Sequence, residues 1–125
     1  MKTRVIVCGG RDFQDYDLCQ LTLDFYLRDS GDNYEIISGH AKGADSLGER
    51  YAKDNNIELK IFPADWGKYG RQAGPIRNQQ MLDYAMQGHP IVIAFWDGRS
   101  RGTKNMIEIS QKAGVTTYIE KYGIG

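Results

Sequence analysis

Four polar clusters in the sequence combine glycine, arginine and hydroxyl side chains, which are the residue types that bind phosphate groups. They are Gly9-Gly10-Arg11-Asp12-Phe13, Ser38-Gly39-His40-Ala41-Lys42-Gly43-Ala44-Asp45, Ala73-Gly74-Pro75-Ile76-Arg77-Asn78 and Asp97-Gly98-Arg99-Ser100-Arg101-Gly102-Thr103. Glycine lets a ligand approach the backbone closely, and arginine offers a planar fork of N–H donors. A helix that begins in such a loop adds free N–H groups and a partial positive charge. Each cluster alone is typical of an ordinary strand-to-helix turn, but together they indicate a site.

The candidate ligand contacts are the residues of these clusters with suitable donors or little bulk. They are Gly9, Gly10, Arg11, Ser38, Gly39, Lys42, Gly43, Asp45, Arg77, Asn78, Arg99, Gly102 and Thr103. Arg77 either reaches the ligand or forms a surface salt bridge, and the sequence leaves both open. Trp66 and Tyr69 lie between the second and third clusters, where they could stack on a base or pack without touching a ligand.

Three acidic residues in the same clusters, Asp12, Asp45 and Asp97, are the candidate catalytic groups. Asp12 and Asp97 could also contact ribose hydroxyls. Asp45 has a competing structural interpretation, since it could cap the helix that follows it, with Ser46 to Glu49 as an alternative capping box. The sequence therefore leaves open whether the protein is an enzyme.

Several well-defined chemistries lack the residues that they require. The Gly9-Gly10 pair has no third glycine to complete the GxGxxG fingerprint, and Lys42 precedes its glycine instead of following it as in a Walker motif. Ser38, His40 and Asp45 could be drawn as a nucleophile, a base and an acid, but no GxSxG elbow accompanies them. The two cysteines form no CxxC pair, so we predict neither a metal site nor a bound cofactor.

Short apolar runs alternate along the chain with segments of helical spacing, which predicts βαβ units and a parallel sheet. Strands are predicted over Arg4–Cys8, Glu35–Ser38, Glu58–Phe62, Pro90–Trp96 and Val115–Ile119. Helices are predicted over Tyr16–Arg28, around Leu47 to Ala52 as far as Asn55-Asn56, from Pro75 to Gln87, and over Asn105–Ala113. A Gly31-Asp32-Asn33 turn and a long irregular connection from Pro63 to Pro75 join them. We expect one α/β domain over residues 1–125, a Rossmann-like, doubly wound parallel sheet of about five strands with helices on both faces.

The balanced charge of the chain disfavours binding partners that act through a large negative charge. The 125 residues carry 16 basic and 16 acidic side chains, so the formal net charge is +0 and offers no general attraction to nucleic acid or anionic membranes. The first residues contain only a short apolar stretch, so we expect a cytoplasmic protein with no membrane partner. Leu18, Leu21 and Phe25 share a face of the first predicted helix, which could form a homodimer interface or belong to the core.

Taken as a set, the four clusters resemble those of the SLOG superfamily, and most closely its small YspA- and YpsA-related bacterial and phage proteins. The marks are GGRDF at residues 9–13, SGHAKGAD at 38–45, AGPIRN at 73–78 and GRSRGT at 98–103. This resemblance implies a Rossmann-like sheet that binds nucleotides or nucleotide-derived molecules. The superfamily also includes LOG-type phosphoribohydrolases, which release a base from a nucleoside monophosphate, and DNA-processing proteins of the DprA type.

The LOG motifs match this sequence at their phosphate-binding residues but not at their catalytic glutamate. Arg77 falls on the arginine of their Arg-Lys motif, and Gly102-Thr103 on the Gly-Thr of their PGGxGTxxE motif. Their glutamate would fall on Met106, which has no acid or base capacity. The resemblance thus implies a sensor or carrier for a nucleotide-type small molecule. A hydrolase of a nucleotide or nucleotide-sugar N-glycosidic bond is the first alternative and a single-stranded nucleic-acid binder, disfavoured by the neutral net charge, is the second.

Overall fold

A computed structural model describes residues 1–28 and 33–123, so that most of the predicted turn at Gly31-Asp32-Asn33 lies outside the described residues. Five parallel strands form one sheet in the order β3-β2-β1-β4-β5. They are β1 (Thr3–Gly9), β2 (Tyr34–Ser38), β3 (Glu58–Ile61), β4 (His89–Trp96) and β5 (Thr116–Lys121). The direction of winding reverses between β1 and β4, which confirms the predicted Rossmann-like, doubly wound arrangement.

Helices cover both faces of this sheet, as predicted. They are α1 (Tyr16–Leu27), α2 (Ala44–Asp54), the short α3 (Trp66–Tyr69), α4 (Ala73–Ala85) and α5 (Arg101–Lys112). Strand β1 shows how the two layers form, because Val5 and Val7 pack with residues of α1 and α2 on one face. Ile6 and Cys8 point to the other face and pack with residues of α4 and α5. A strand buried on both faces must be apolar throughout, which explains its continuous apolar run.

The register of the two inner strands sets the position of the loops that follow them. Cys8 pairs with Ala94 and Gly9 with Phe95, so β1 and β4 reach the same edge of the sheet. The Gly10 N–H then donates to the carbonyl oxygen of Phe95 at 3.1 Å. The clusters that begin at Gly9 and Asp97 therefore start side by side.

Two predicted connections are wrong in detail. The segment from Pro63 to Pro75 is not irregular, because it contains α3 and a 3₁₀ turn over Gly70–Gln72. Asp65 starts α3 by accepting the Lys68 N–H at 3.1 Å, a local capping bond without any hydrophobic periodicity to signal it. Helix α5 starts at Arg101 instead of near Asn105, because the Ser100 side chain caps it.

The remaining ends differ from prediction by a few residues, which is normal for element boundaries. Asp15 caps α1 as predicted, by accepting the Leu18 N–H at 3.0 Å. None of the helices in the described part of the chain is long and apolar enough to cross a membrane.

Candidate ligand-binding site

A cavity of about 580 Å³ opens at the carboxyl ends of β1 and β4, where the winding reverses. Its volume lies within the range of small-molecule sites, and its place in the sheet is where open α/β folds bind ligands. Several predicted site residues line it: Gly9, Gly10, Arg11, Asp12, Asp45, Arg77, Asn78, Asp97, Gly102 and Thr103. The fold thus brings residues from all four clusters to one place.

Other lining residues were not among the candidate contacts. They are Cys8, Ala41, Trp66, Arg71, Gly74, Pro75, Met81, Ser100, Arg101 and Asn105. Trp66 is the aromatic residue that could stack on a base, and Arg101 is the alternative to Arg99 as an arginine donor. Ala41, Gly74, Pro75 and Ser100 belong to the predicted clusters. Arg71 could not have been selected, because only the 3₁₀ turn after α3 brings it to the cavity.

Five predicted contacts lie outside the cavity lining: Ser38, Gly39, Lys42, Gly43 and Arg99. Ser38 is fully buried, and its hydroxyl donates to the Glu49 carboxylate at 2.7 Å. Gly39 supplies a carbonyl oxygen to the Arg77 guanidinium at 2.5 Å. The structure thus places Ser38 and Gly39 behind the wall of the cavity, while the side chains of Lys42 and Arg99 are exposed.

Most glycines of the predicted clusters are required by protein packing. Gly43 has a φ of +80°, and a Cβ there would overlap the carbonyl oxygen of Gly10. A Cβ at Gly9 would overlap the carbonyl oxygen of Phe95 in the same way. Gly102 differs, because a Cβ built there would meet no atom within 4 Å. Among the described cluster glycines, Gly102 therefore combines a position on the cavity wall with open space.

Helix α5 begins at the cavity. Ser100 caps it, with its side-chain oxygen accepting the Thr103 N–H at 3.4 Å and lying 3.0 Å from the Thr103 hydroxyl. The first N–H groups of any helix have no partner within it, and here they belong to Arg101 and Gly102. A helix of 12 residues also places partial positive charge at this end.

A chain of hydrogen bonds joins α4 to the loop that follows β2 and to α5. Arg77 donates through Nη1 to the Gly39 carbonyl at 2.5 Å and through Nε to the Asn78 side chain at 3.0 Å. Asn78 then donates to the Gly102 carbonyl at 3.2 Å and to the Asn105 side chain at 2.9 Å. The surface salt bridge considered for Arg77 is absent among the described residues, and burial lowers the pKa of its guanidinium.

Asp45 lies in the cavity wall with only 5% of its surface exposed. Its carboxylate accepts the Ala41 N–H at 3.2 Å. The helix-capping interpretation of Asp45 is wrong, because Gly43 is the N-cap of α2 and no side chain caps that helix. Burial raises the pKa of Asp45 to about 6, although the Ala41 hydrogen bond and the charge of Arg77 oppose the rise. A carboxyl group with such a pKa can exchange a proton near neutral pH.

The other two candidate acids are occupied by bonds that hold the loops. Asp12 accepts the Tyr122 hydroxyl at 2.5 Å. Asp97 accepts the N–H groups of Arg99 and Ser100, both at 2.8 Å. These bonds lower the pKa of Asp97. Of the three, Asp45 is therefore the group best suited to acid or base chemistry.

Four arginines from separate segments line the cavity: Arg11, Arg71, Arg77 and Arg101. The side chains of Arg11, Arg71 and Arg101 make no hydrogen bond or ion pair with any residue in the ranges 1–28 and 33–123. Three carboxylates, those of Asp12, Asp45 and Asp97, share the lining. The cavity therefore holds guanidinium groups whose donors are available to a ligand.

The grouping of Ser38, His40 and Asp45 as a nucleophilic triad is wrong. His40 pairs with Glu49 instead of Asp45, with its Nδ1 at 2.9 Å from the glutamate Oε2. Ser38 donates to that same carboxylate and not to the histidine. Sequence reasoning treated Glu49 only as part of a capping box, because nothing in the spacing showed that it would turn inward from α2.

The two cysteine thiols are buried, and so is Met106, the residue that falls on the glutamate of the LOG motif. Burial raises the pKa of Cys8 and raises that of Cys19 to about 12. Met106, which matches the glutamate of LOG enzymes, is buried in the core between α5 and the sheet. In the described part of the chain, no group of three His, Cys, Asp or Glu side chains is placed to hold a metal ion.

The fold and this cavity define the class of the protein: a Rossmann-like α/β domain with an open cavity at the switch point of its sheet. The chain belongs to the YspA, cpYpsA-related SLOG family (YAcAr), whose family model matches residues 3–69. It is also similar to the Gene 61 protein of Mycobacterium phage D29, with 32% identity over 117 residues that cover 90% of this chain and 91% of the phage protein. No solved structure gave a significant match. The resemblance inferred from the four clusters is thereby confirmed.

Proposed function

We propose that the protein binds a nucleotide or nucleotide-derived phosphate ligand in the cavity between β1 and β4, as a sensor or carrier. The observation that carries the proposal is the first turn of α5, which meets the cavity with free N–H groups and with open space at Gly102. Helix N-termini with this backbone access are common anion sites in proteins. Membership of a SLOG family supports a nucleotide-related ligand.

The arginines of the cavity support an anionic ligand independently of the helix, since four arginines face three carboxylates in its lining. Arg11, Arg71 and Arg101 line it with unused donors, whereas Lys2, Arg50 and Lys104 elsewhere pair with carboxylates. The whole chain has a formal net charge of +0, so this group of arginines is local. Phosphate groups, like carboxylates, match the planar donor fork of arginine with two parallel hydrogen bonds.

The proposal is tested by a binding screen with AMP, ADP-ribose, NAD, cyclic nucleotides and ribose 5-phosphate, first by thermal shift and then by calorimetry. We expect Gly102→Ala to weaken binding roughly tenfold, about 1.4 kcal/mol, because the methyl group fills the space beside the helix N-terminus. Gly67→Ala is the matched control, since Gly67 is also helical with room for a Cβ but lies outside the cavity lining. Unchanged binding in Gly102→Ala, or no binding of any phosphate compound, would contradict the proposal.

A hydrolase is the second candidate, and the Asp45 carboxyl favours it. A buried acid with a pKa of about 6 in the cavity wall is suited to donate or accept a proton during bond cleavage. The experiment is to incubate the protein with nucleoside 5′-monophosphates and separate free base from nucleotide by chromatography. Free base that forms with wild type and Asp97→Asn but not with Asp45→Asn would support hydrolysis. Nucleotide recovered unchanged would contradict hydrolysis and leave ligand binding as the proposed function.

A further inference from the structure

We infer that Trp66 forms the base-binding wall of the cavity, so that the preferred ligand carries a planar nucleobase as well as a phosphate. This inference rests on the proposed function, because it concerns the same cavity. It adds a requirement that phosphate binding alone does not make, since a sugar phosphate has no planar aromatic ring to stack on an indole.

Trp66 is held at the cavity by a short local structure. It is the first residue of α3, and Asp65 fixes the start of that helix by accepting the Lys68 N–H at 3.1 Å. The Trp66 side chain lines the cavity while 52% of its surface remains exposed. An indole left half in water forgoes much of the stabilisation that burial gives to apolar surface.

Gly74, near the start of α4, lies opposite the indole. A Cβ built at Gly74 would lie 3.4 Å from Cη2 of Trp66, which is an ordinary van der Waals distance. The space between Gly74 and the indole edge therefore has room for about one methyl group. Gly74 and Pro75 line the cavity together with Trp66.

No other residue within ranges 1–28 and 33–123 makes a ring contact, a cation–π contact or a side-chain hydrogen bond with Trp66. Trp96 differs, because its indole N–H donates to the Ser100 carbonyl at 3.1 Å. Tyr69, the other aromatic residue of α3, lies near the Lys68 ammonium and outside this cavity. Trp66 is therefore the aromatic side chain of α3 that is available to a ligand.

The test compares ligands that share a phosphate and differ in the base. Dissociation constants are measured by calorimetry for ribose 5-phosphate and for AMP, GMP, CMP and UMP. We expect at least one nucleotide to bind wild type more tightly than ribose 5-phosphate. Trp66→Ala should weaken that nucleotide roughly tenfold, from the typical contribution of base stacking, and leave ribose 5-phosphate within about twofold.

Three further arms make the result specific. Trp66→Phe should restore most of the lost affinity, and Tyr69→Ala should behave as wild type. The chain has two tryptophans, so Trp96→Phe leaves Trp66 as the sole indole, and its emission should be quenched by the nucleotide and not by ribose 5-phosphate.

Each failure has its own meaning. Ribose 5-phosphate binding with no gain from any base, or equal loss of both ligand types in Trp66→Ala, overturns the role of Trp66 and leaves phosphate binding intact. Absence of binding by every compound overturns the proposed function, and the inference falls with it.

Discussion

At the scale of single residues, the Asp45 carboxyl links protonation to stability. Its pKa is about 6 in the folded protein and about 3.9 in an unfolded chain. Between these values the folded state holds a proton that the unfolded state releases. The contribution of Asp45 to the free energy of unfolding is therefore greatest below about pH 4 and falls as the pH rises through 6.

We therefore expect Asp45→Asn to gain stability relative to wild type as the pH rises from 4 to 8. The gain should be about 2–3 kcal/mol, at about 1.4 kcal/mol per pKa unit, measured by urea unfolding at each pH. Asp97→Asn should instead lose stability relative to wild type as the pH rises towards about 4 and show little change above it, because the N–H groups of Ser100 and Arg99 lower the pKa of Asp97. A stability difference for Asp45→Asn that does not change with pH would contradict the assignment.

Arg77 gives a second prediction at this scale. Arg77→Lys keeps the positive charge but cannot reproduce both bonds, to the Gly39 carbonyl and the Asn78 side chain. We expect the free energy of unfolding to fall by about 1–3 kcal/mol, since buried acceptors lose their donor. Arg71→Lys is the control, an arginine of the same cavity without such bonds, and should stay within about 0.5 kcal/mol. Equal effects of the two substitutions would contradict the structural role of Arg77.

Residue types predicted where the candidate site lies better than they predicted the environment of its acidic groups. Arginines and glycines after strands could be read from the sequence, because loop position follows from the alternation of strands and helices. The burial of Asp45 and the inward turn of Glu49 could not, since both depend on how α2 packs against the sheet.

At the scale of elements, two glycines with similar positive φ angles differ in how crowded their surroundings are. Gly43, before α2, has a φ of +80°, and Gly114, after α5, has a φ of +76°. A Cβ at Gly43 would overlap the Gly10 carbonyl, whereas one at Gly114 would have nothing within 4 Å. Gly114→Ala should therefore cost about 1–2 kcal/mol from backbone strain alone.

Gly43→Ala should cost more than Gly114→Ala by at least about 1–3 kcal/mol, because the methyl group also forces the β1–α1 loop away from α2. Chemical unfolding of the two variants measures the difference directly. Similar losses would show that the contact between Gly43 and Gly10 relaxes without cost.

The elements differ in how well the sequence predicts them. Strands β1 and β4 are continuous apolar runs because both of their faces are buried, and this signal predicts them directly. Helix α3 has four residues and no apolar stripe, and it depends on the Asp65 cap. Local capping also sets the start of α5, which explains why a periodicity-based boundary falls too late.

At the scale of the whole molecule, α1 carries the surface on which the predicted homodimer depends. Leu18 packs against the core, but Leu21 is 68% and Phe25 54% exposed. We expect a double substitution, Leu21→Gln with Phe25→Gln, to convert a dimer to a monomer in light scattering. It should change monomer stability by no more than about 0.5 kcal/mol per site. A wild-type protein that is monomeric at high concentration would contradict this prediction.

The chain of hydrogen bonds from Gly39 through Arg77 and Asn78 to Asn105 has a thermodynamic consequence. It joins α4 to α5 and to the loop that follows β2 in the protein without a ligand. Binding of the proposed ligand would then cost little conformational entropy for ordering those segments. Association should accordingly be fast and only weakly dependent on temperature, and the bound and free backbones should nearly coincide.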